Sequence, residues 1–379
     1  MRILQLCSYF LPHKGGIESV VYNLSKEMVT LGHDVTVISS AIGSNIKEEF
    51  IEGIKIKRVN ARTILKSPIA PGLIFALIKE KKPDIIHLHH PHPFFLEAGI
   101  LYAKLCGIPI ILHCHGAEIT MKGFSNIFAQ IYNNIFLRLN MLLADRIIVH
   151  SNILVNKSRL LQLFRDKLVI LKLGVDTERY SGKKKSNLRK ELKIDKNNII
   201  LFVGALREYK RVDLLINAFN DFLKEIPNSK LLIVGSGERE AELEKLTEKL
   251  SLQDRVIFFG FVDDKKLKEF YSIADVFVLP SPNIEEGFGL VALEAAAMGI
   301  PIIVTQGAGI SEHLIEDGIG KIIEPYSADA IRSALLEVIT NKKALVESKK
   351  AKNIILKVYS WKELVKDYLN LYQELIRKV

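Results

Sequence analysis

The chain has 379 residues, 48% hydrophobic and 25% charged, a balance that excludes global disorder, collagen and coiled coil and, at ~100–200 residues per domain, suggests two domains. Residues 1–175 hold most of the net charge of +10, with 21 Lys/Arg against 12 Asp/Glu, which suits a phosphate-rich substrate, an anionic lipid surface, nucleic acid or a merely solubilising surface. The three cysteines, Cys7, Cys106 and Cys114, show no CxxC spacing, so neither a zinc knuckle nor a disulfide scaffold is expected and the chain reads as reduced and cytosolic.

RILQL opens the chain as a strand. Positions 17–31 predict a helix with Val20, Val21, Leu24, Met28 and Leu31 on one face, stopped by Gly32. DVTVIS is the next strand, and further strands are expected at 54–59, 85–89, 108–113 and 146–150. Their nearly continuous apolar runs are those of strands covered on both faces, as in a parallel sheet. The longest apolar stretch, roughly 98–112, is interrupted by Lys104, Gly107 and Pro109 and falls short of the ~20 residues of a bilayer span. With no cleavage site near the N-terminus, a cytoplasmic protein is expected, either free or peripheral at the inner face of the membrane.

A polar segment, 176–198, carries the basic patch Lys183–Lys185. A second series follows: IILFVG, a helix at 212–222, LLIVG, a helix at 239–249, then VIFFG, VFVLP and IPIIVT. The final helix gathers Trp361, Leu364, Val365, Tyr368, Leu371 and Leu375 on one face. The expected fold is α/β, with two doubly wound Rossmann-like domains facing a cleft: 1–173, onto which the helix 360–379 packs back, and 174–359. Ligands of such sheets bind at the carboxyl ends of the strands.

The most specific motif is EGFGLVALE, in which Glu286 and Glu294 flank the start of a helix and the amides of Phe288, Gly289 and Leu290 lie between them. A helix N-terminus attracts anions, and carboxylates accept hydrogen bonds from sugar or ribose hydroxyls. A ligand carrying both phosphates and hydroxyls, a nucleotide sugar, satisfies the pair; otherwise Glu286 is a solvated loop residue and Glu294 a helix-terminal charge. GALREYKR places Arg207, Lys210 and Arg211 after IILFV, where cations can neutralise a departing diphosphate or simply sit on an exposed turn. Gly15–Gly16 after the first strand and Gly235 within GSGE are phosphate-loop candidates or plain tight turns. Neither has the GxGxxG spacing of a dehydrogenase.

His115, in HGAE, ends the strand IPIILHC and reads as facing the cleft. The run His87, His89, His90, His92 looks like a metal cluster, but Pro91 and Pro93 mark a post-strand loop without carboxylate or cysteine partners, so no metal is expected. Phe124, Ile127, Phe128, Ile131, Ile135 and Phe136 share a face of a helix that also carries Lys122 and Arg138. That face either packs on the core, the commoner use, or rests on a lipid surface.

Taken together, GGIE, HGAE, the strand-K-R element, VGSGE, EGFGLVALEA and GIPIIVT followed by GAGISE resemble the retaining glycosyltransferases of family 4, the group 1 transferases with the GT-B fold, over nearly the whole chain. The resemblance implies a nucleoside-diphosphate sugar as donor substrate, no cofactor, and a sugar or lipid-linked acceptor. It places Glu294 on the ribose, Glu286 and the amides of Phe288, Gly289 and Leu290 by the sugar and diphosphate, and Lys210 and Gly16 at the diphosphate. It also puts His115 near the reacting carbon, with Gly235 and Val262 lining the base pocket. Where the family commonly has Arg, this chain has Ala205; Arg207, two residues on, supplies a charge from another direction. A sugar-nucleotide epimerase of the same architecture and a non-catalytic phosphosugar-binding protein are the alternatives. No nucleic-acid motif occurs.

Overall fold

Strand order in the two sheets decides which motifs meet. The structure is a computed structural model that describes residues 1–13, 15–64, 67–121, 123–180 and 186–378. Lys122 and the Lys183–Lys185 patch lie outside the described residues. The chain divides into two units, Met1–Leu173 with Trp361–Val379, and Gly174–Ser360.

The first unit begins with β1 (Arg2–Leu6), α1 (Gly16–Thr30), β2 (Asp34–Ser40), β3 (Glu48–Ile51) and β4 (Ile54–Val59). It continues with β5 (Ile85–His90), α2 (Phe95–Cys106), β6 (Ile110–Cys114), β7 (Arg146–Val149) and β8 (Leu168–Ile170). The sheet order is β8-β7-β6-β5-β1-β2-β4-β3, parallel except where β3 pairs with β4. After β4 the chain returns to the other side of β1, so the order reverses between β1 and β5. Leu4, Leu6, Ile86, Leu88, Ile110 and Leu112 are buried on one face of these central strands. Full burial of such a side chain contributes roughly 1.5–3 kcal/mol.

The opposite face is polar. Gln5 pairs with His87 across β1 and β5, and His89 with His113 across β5 and β6; all four are buried. Alternation along a strand makes these one stripe. The sequence places His87 and His89 at the end of a strand running into a loop. The structure instead continues β5 through His90, so that Pro91 ends the strand rather than dissolving it. The C-terminal helix Trp361–Ile376 packs against α1 and buries Trp361, Tyr368 and Tyr372.

A larger departure concerns residues 124–142. They form α3 (Ser125–Ile131), a π-helical turn at Tyr132–Leu137, and α4 (Arg138–Leu143). Of the two uses open to the apolar face, core packing and a surface role, the structure shows it pointing outward: Phe124 is 78% exposed, and Ile127, Phe128, Ile131, Ile135, Phe136, Leu139 and Leu142 are exposed as well. The inward face is held by amides. Asn133 donates to the Ile119 carbonyl at 2.8 Å and accepts from its N–H at 3.0 Å, while Asn140 donates to Glu97 at 2.7 Å.

The second unit holds β9 (Asn198–Val203), α5 (Val212–Phe222), β10 (Ser229–Val234), β11 (Val256–Phe258), β12 (Val276–Leu279), α6 (Leu290–Ala297), β13 (Ile302–Thr305) and β14 (Lys321–Ile323). Its sheet is wholly parallel, in the order β11-β10-β9-β12-β13-β14. Phe202, Phe219 and Phe222 lie in its core with Leu231, Ile233 and Val276. The order reverses between β9 and β12, the place where doubly wound sheets bind ligands.

Candidate functional site

In the second unit, the segment after β9 meets the segment after β12. Glu208–Lys210 forms one 3-10 turn before α5, and Ile284–Glu286 forms another before α6. Lys210 Nζ lies 2.6 Å from both oxygens of Glu286. Ser281 donates its hydroxyl to Glu286 Oε2 at 2.5 Å. The lysine and glutamate side chains are only 8% and 4% exposed. The two motifs, separate in the sequence, are thus one buried ion pair. Removing two charges from water is unfavourable by several kcal/mol, so such a pair persists only when charge and hydrogen bonds are matched.

Gly289 precedes α6 with φ +95°, a conformation that strains other residues. A Cβ there would also lie 2.9 Å from Leu279 and 3.2 Å from Ile310. The glycine therefore brings the positive end of α6 up against the strand-end loop. Phe288 is buried beside His313, with ring centroids 5.7 Å apart, and Leu290 is half-buried.

Glu294, one turn into α6, has separate partners. Tyr271 donates to it at 2.8 Å. Burial pushes its carboxyl above the ordinary range, while the Tyr271 hydroxyl and the Arg179 guanidinium hold it back. Gly235 has φ +131°, and a Cβ there would strike the Gly204 carbonyl. Its N–H donates to Gly260 at 2.8 Å, which brings the GSGE turn beside the segment leading to Val262, itself half-buried. Arg207 and Ala205 are exposed. Arg207 forms no ion pair among the described residues, and Arg211 is engaged by Asp213 at 2.9 Å.

In the first unit, Gly15 caps α1. The Glu18 carboxylate folds back to the position a Gly15 side chain would take and meets His13 Nδ1 at 3.2 Å. Burial raises the Glu18 pKa, with its own backbone hydrogen bond and His13 acting against the rise. Gly16 faces open space.

In the same unit, imidazoles form a chain that sequence inspection missed, because its members come from two strands, the residue after β7 and the C-terminal helix. Tyr372 Oη lies 2.5 Å from His87 Nδ1, His87 Nε2 is 2.9 Å from His113 Nδ1, and His113 Nε2 is 3.0 Å from His150 Nε2. His150 Nδ1 is 2.9 Å from the Leu171 carbonyl. A carbonyl only accepts, and a neutral imidazole has one N–H. His150 therefore donates to Leu171, His113 donates to His150, His87 donates to His113, and Tyr372 donates to His87. Burial pulls His87 down to about 3, and burial with neighbouring histidines holds His113 well below the usual imidazole range.

Two trios here, His87–His89–His113 and His113–His115–His150, bring their nitrogens within 4.8 Å of one another. Imidazole is a good ligand for zinc or copper. In this chain, however, the lone pairs of His87, His113 and His150 already accept hydrogen bonds, so a metal would have to dismantle it.

Two α/β units, each built on a doubly wound, mainly parallel sheet, define the class of glycosyltransferases with a GT-B fold. Residues 183–360 match the family of glycosyl transferases group 1, and residues 14–179 match glycosyltransferase family 4. An uncharacterized glycosyltransferase of Methanocaldococcus jannaschii is 30% identical, over 95% of this chain and 94% of that protein. A phosphatidylinositol N-acetylglucosaminyltransferase component from Arabidopsis thaliana is 24% identical, over 97% of this chain and 80% of its own. The HepE protein of Anabaena, solved in complex with UDP and glucose, superposes with a TM-score of 0.79 at 18% identity, over 99% of this chain and 100% of its own. The chain belongs to the group 1, family 4 glycosyltransferases.

Proposed function

We propose that the protein transfers a hexose from a nucleoside-diphosphate sugar to a hydroxyl of a lipid-borne acceptor, with retention of anomeric configuration and without a metal. The observation that carries this is the buried Lys210–Glu286–Ser281 cluster against the Gly289 end of α6. As the bond from the anomeric carbon to phosphate breaks, charge gathers on phosphate oxygens. Lys210 and the start of α6 stabilise that charge, and exposed Arg207 can reach toward it. Glu286, relieved of part of its lysine contact, accepts from sugar hydroxyls, and Glu294 accepts from ribose. Gly235 and Val262 border the base, and Gly15 and Gly16 leave room for the diphosphate. The acceptor oxygen bonds to the anomeric carbon on the face the phosphate leaves, and a departing phosphate oxygen takes its proton.

The lipid acceptor is favoured by the exposed apolar face of residues 124–142, an area of the kind that marks interaction sites. The Arabidopsis relative bears phosphatidylinositol in its name, and we extend a lipid acceptor to this chain. Among the described residues no helix is long and apolar enough to cross a membrane, so attachment would be peripheral.

The test offers UDP-, GDP- and ADP-sugars to the full chain with lipid acceptors, with and without EDTA, and reads the product's anomeric configuration by NMR. A product of inverted configuration, an isomerised donor without transfer, or activity abolished by EDTA and restored by a divalent ion would each overturn a part of the proposal. Binding to phosphatidylglycerol vesicles is expected at low salt, weakening as screening shortens to ~8 Å at physiological ionic strength. It should fall in a Phe124→Ser/Phe128→Ser variant.

A further inference from the structure

The polar stripe of the first unit contains a second hydrogen-bonded chain, which ends at His115. Gln5 donates its amide Nε2 to Ser25 Oγ at 2.7 Å and turns its carbonyl oxygen to His89 Nε2 at 2.9 Å. Because that oxygen only accepts, the hydrogen of His89 is on Nε2. His89 Nδ1 is then a lone pair, and it faces His115 Nε2 at 2.9 Å. His115 must donate from Nε2, which leaves its own Nδ1 unprotonated. Among the described residues nothing hydrogen-bonds that nitrogen, and the His115 side chain is half-buried at the carboxyl end of β6.

We propose that Gln5 and His89 are positioning residues that hold His115 as the Nε2–H tautomer, so that Nδ1 accepts a hydrogen bond from a hydroxyl of the bound sugar. This rests on the proposed sugar transfer and on the place near the reacting carbon that the family resemblance implies for His115. The direction of that bond matters. Glycosyl transfer builds positive charge on the sugar ring, which an imidazolium would oppose and a neutral acceptor does not. The opposite tautomer would present an N–H and reverse the hydrogen bond. Burial, followed by the charges that His150, His92 and His87 would carry, holds His115 well below the usual imidazole range and so keeps it neutral. Gln5 and Ser25 are fully buried, away from bulk solvent.

The experiment is a long-range proton–nitrogen NMR correlation on the full chain labelled with nitrogen-15 histidine, assigned with a His115→Ala variant. The expected spectrum at pH 7 shows His115 protonated at Nε2 and bare at Nδ1. A His115 protonated at Nδ1, or at both nitrogens, overturns the proposal without need of any kinetic variant. Turnover gives the second readout. His89→Leu removes the acceptor and should lower kcat roughly 10–100-fold, the usual range for an outer partner, with donor KM within about twofold. His89→Asn puts an amide oxygen where Nδ1 was and should recover most of kcat. A His89→Leu enzyme with wild-type kcat, or a His89→Asn enzyme no better than a folded His89→Leu enzyme, sinks the positioning role. Full turnover by His115→Ala would instead remove the reading on which the proposal rests, while the tautomer in the wild-type spectrum stands on its own.

Discussion

At the strand-order reversal of the second unit a lysine and a glutamate are buried as an ion pair; at that of the first, Gln5, His87 and His89 are buried without charge. Both places solve the same problem, polar groups inside a sheet protein, by different means. The ion pair is matched by opposite charge and holds so long as both partners remain. The imidazoles are matched by counting hydrogens, one N–H to one lone pair, and hold so long as no extra proton arrives. The second unit should therefore respond to mutation of one partner, and the first to pH.

The largest expected effect is acid sensitivity confined to the first unit. Burial holds His87 at about 3 and His90 at about 4, below their ordinary values near 6.5 when unfolded. Between pH 6.5 and pH 4 the unfolded chain binds protons that the folded chain refuses, so stability is full above 6.5 and falls with pH. Each such histidine contributes up to about 1.4 kcal/mol per pH unit in that window. Hydrogen exchange read by mass spectrometry, corrected for intrinsic rates, should show protection of β5 and β6 collapsing while β9 and β12 keep theirs. Equal loss in both units would erase the contrast.

Next comes Lys210→Ala. It leaves Glu286 buried and unpaired, a loss of roughly 3–5 kcal/mol, and should lower kcat by roughly 10²–10³-fold. Adding Glu286→Ala should restore much of the urea midpoint and none of the turnover. If the double variant is no more stable than the single one, the pair is not what holds that corner. A smaller change is expected for Glu294→Ala. Ribose contacts persist equally in ground and transition states, so donor KM should rise with kcat nearly constant; a fall in kcat at unchanged KM would move Glu294 into the chemistry. Smallest is Ile135→Ser on the exposed helix face, which should shift the unfolding free energy by less than about 0.5 kcal/mol. A shift of several kcal/mol would mean that this face is covered.

Much of this was legible in the chain. EGFGLVALE announces its helix because glycine precedes it and carboxylates flank it, and the family follows from the order of such motifs. The pairing of Lys210 with Glu286 was not legible, since 76 residues separate them and their meeting depends on β12 lying beside β9. The strand expected at 85–89 runs one residue further, through His90, before Pro91. Periodicity showed that residues 124–136 have an apolar face but could not say which way it turns. The deciding residues, Asn133 and Asn140, are polar and point inward because Ile119 and Glu97 await them.

The Tyr372–His87 contact has a consequence for synthesis on the ribosome. Residues 1–173 emerge first, yet the hydroxyl that completes their imidazole chain belongs to a helix made after the whole of Gly174–Ser360. At ~5–20 residues per second that delay is on the order of 10–40 s. Through it, the nascent first unit lacks the helix that packs against α1, whereas the second unit needs nothing made after Ser360. The order of completion is thus the reverse of the order of translation.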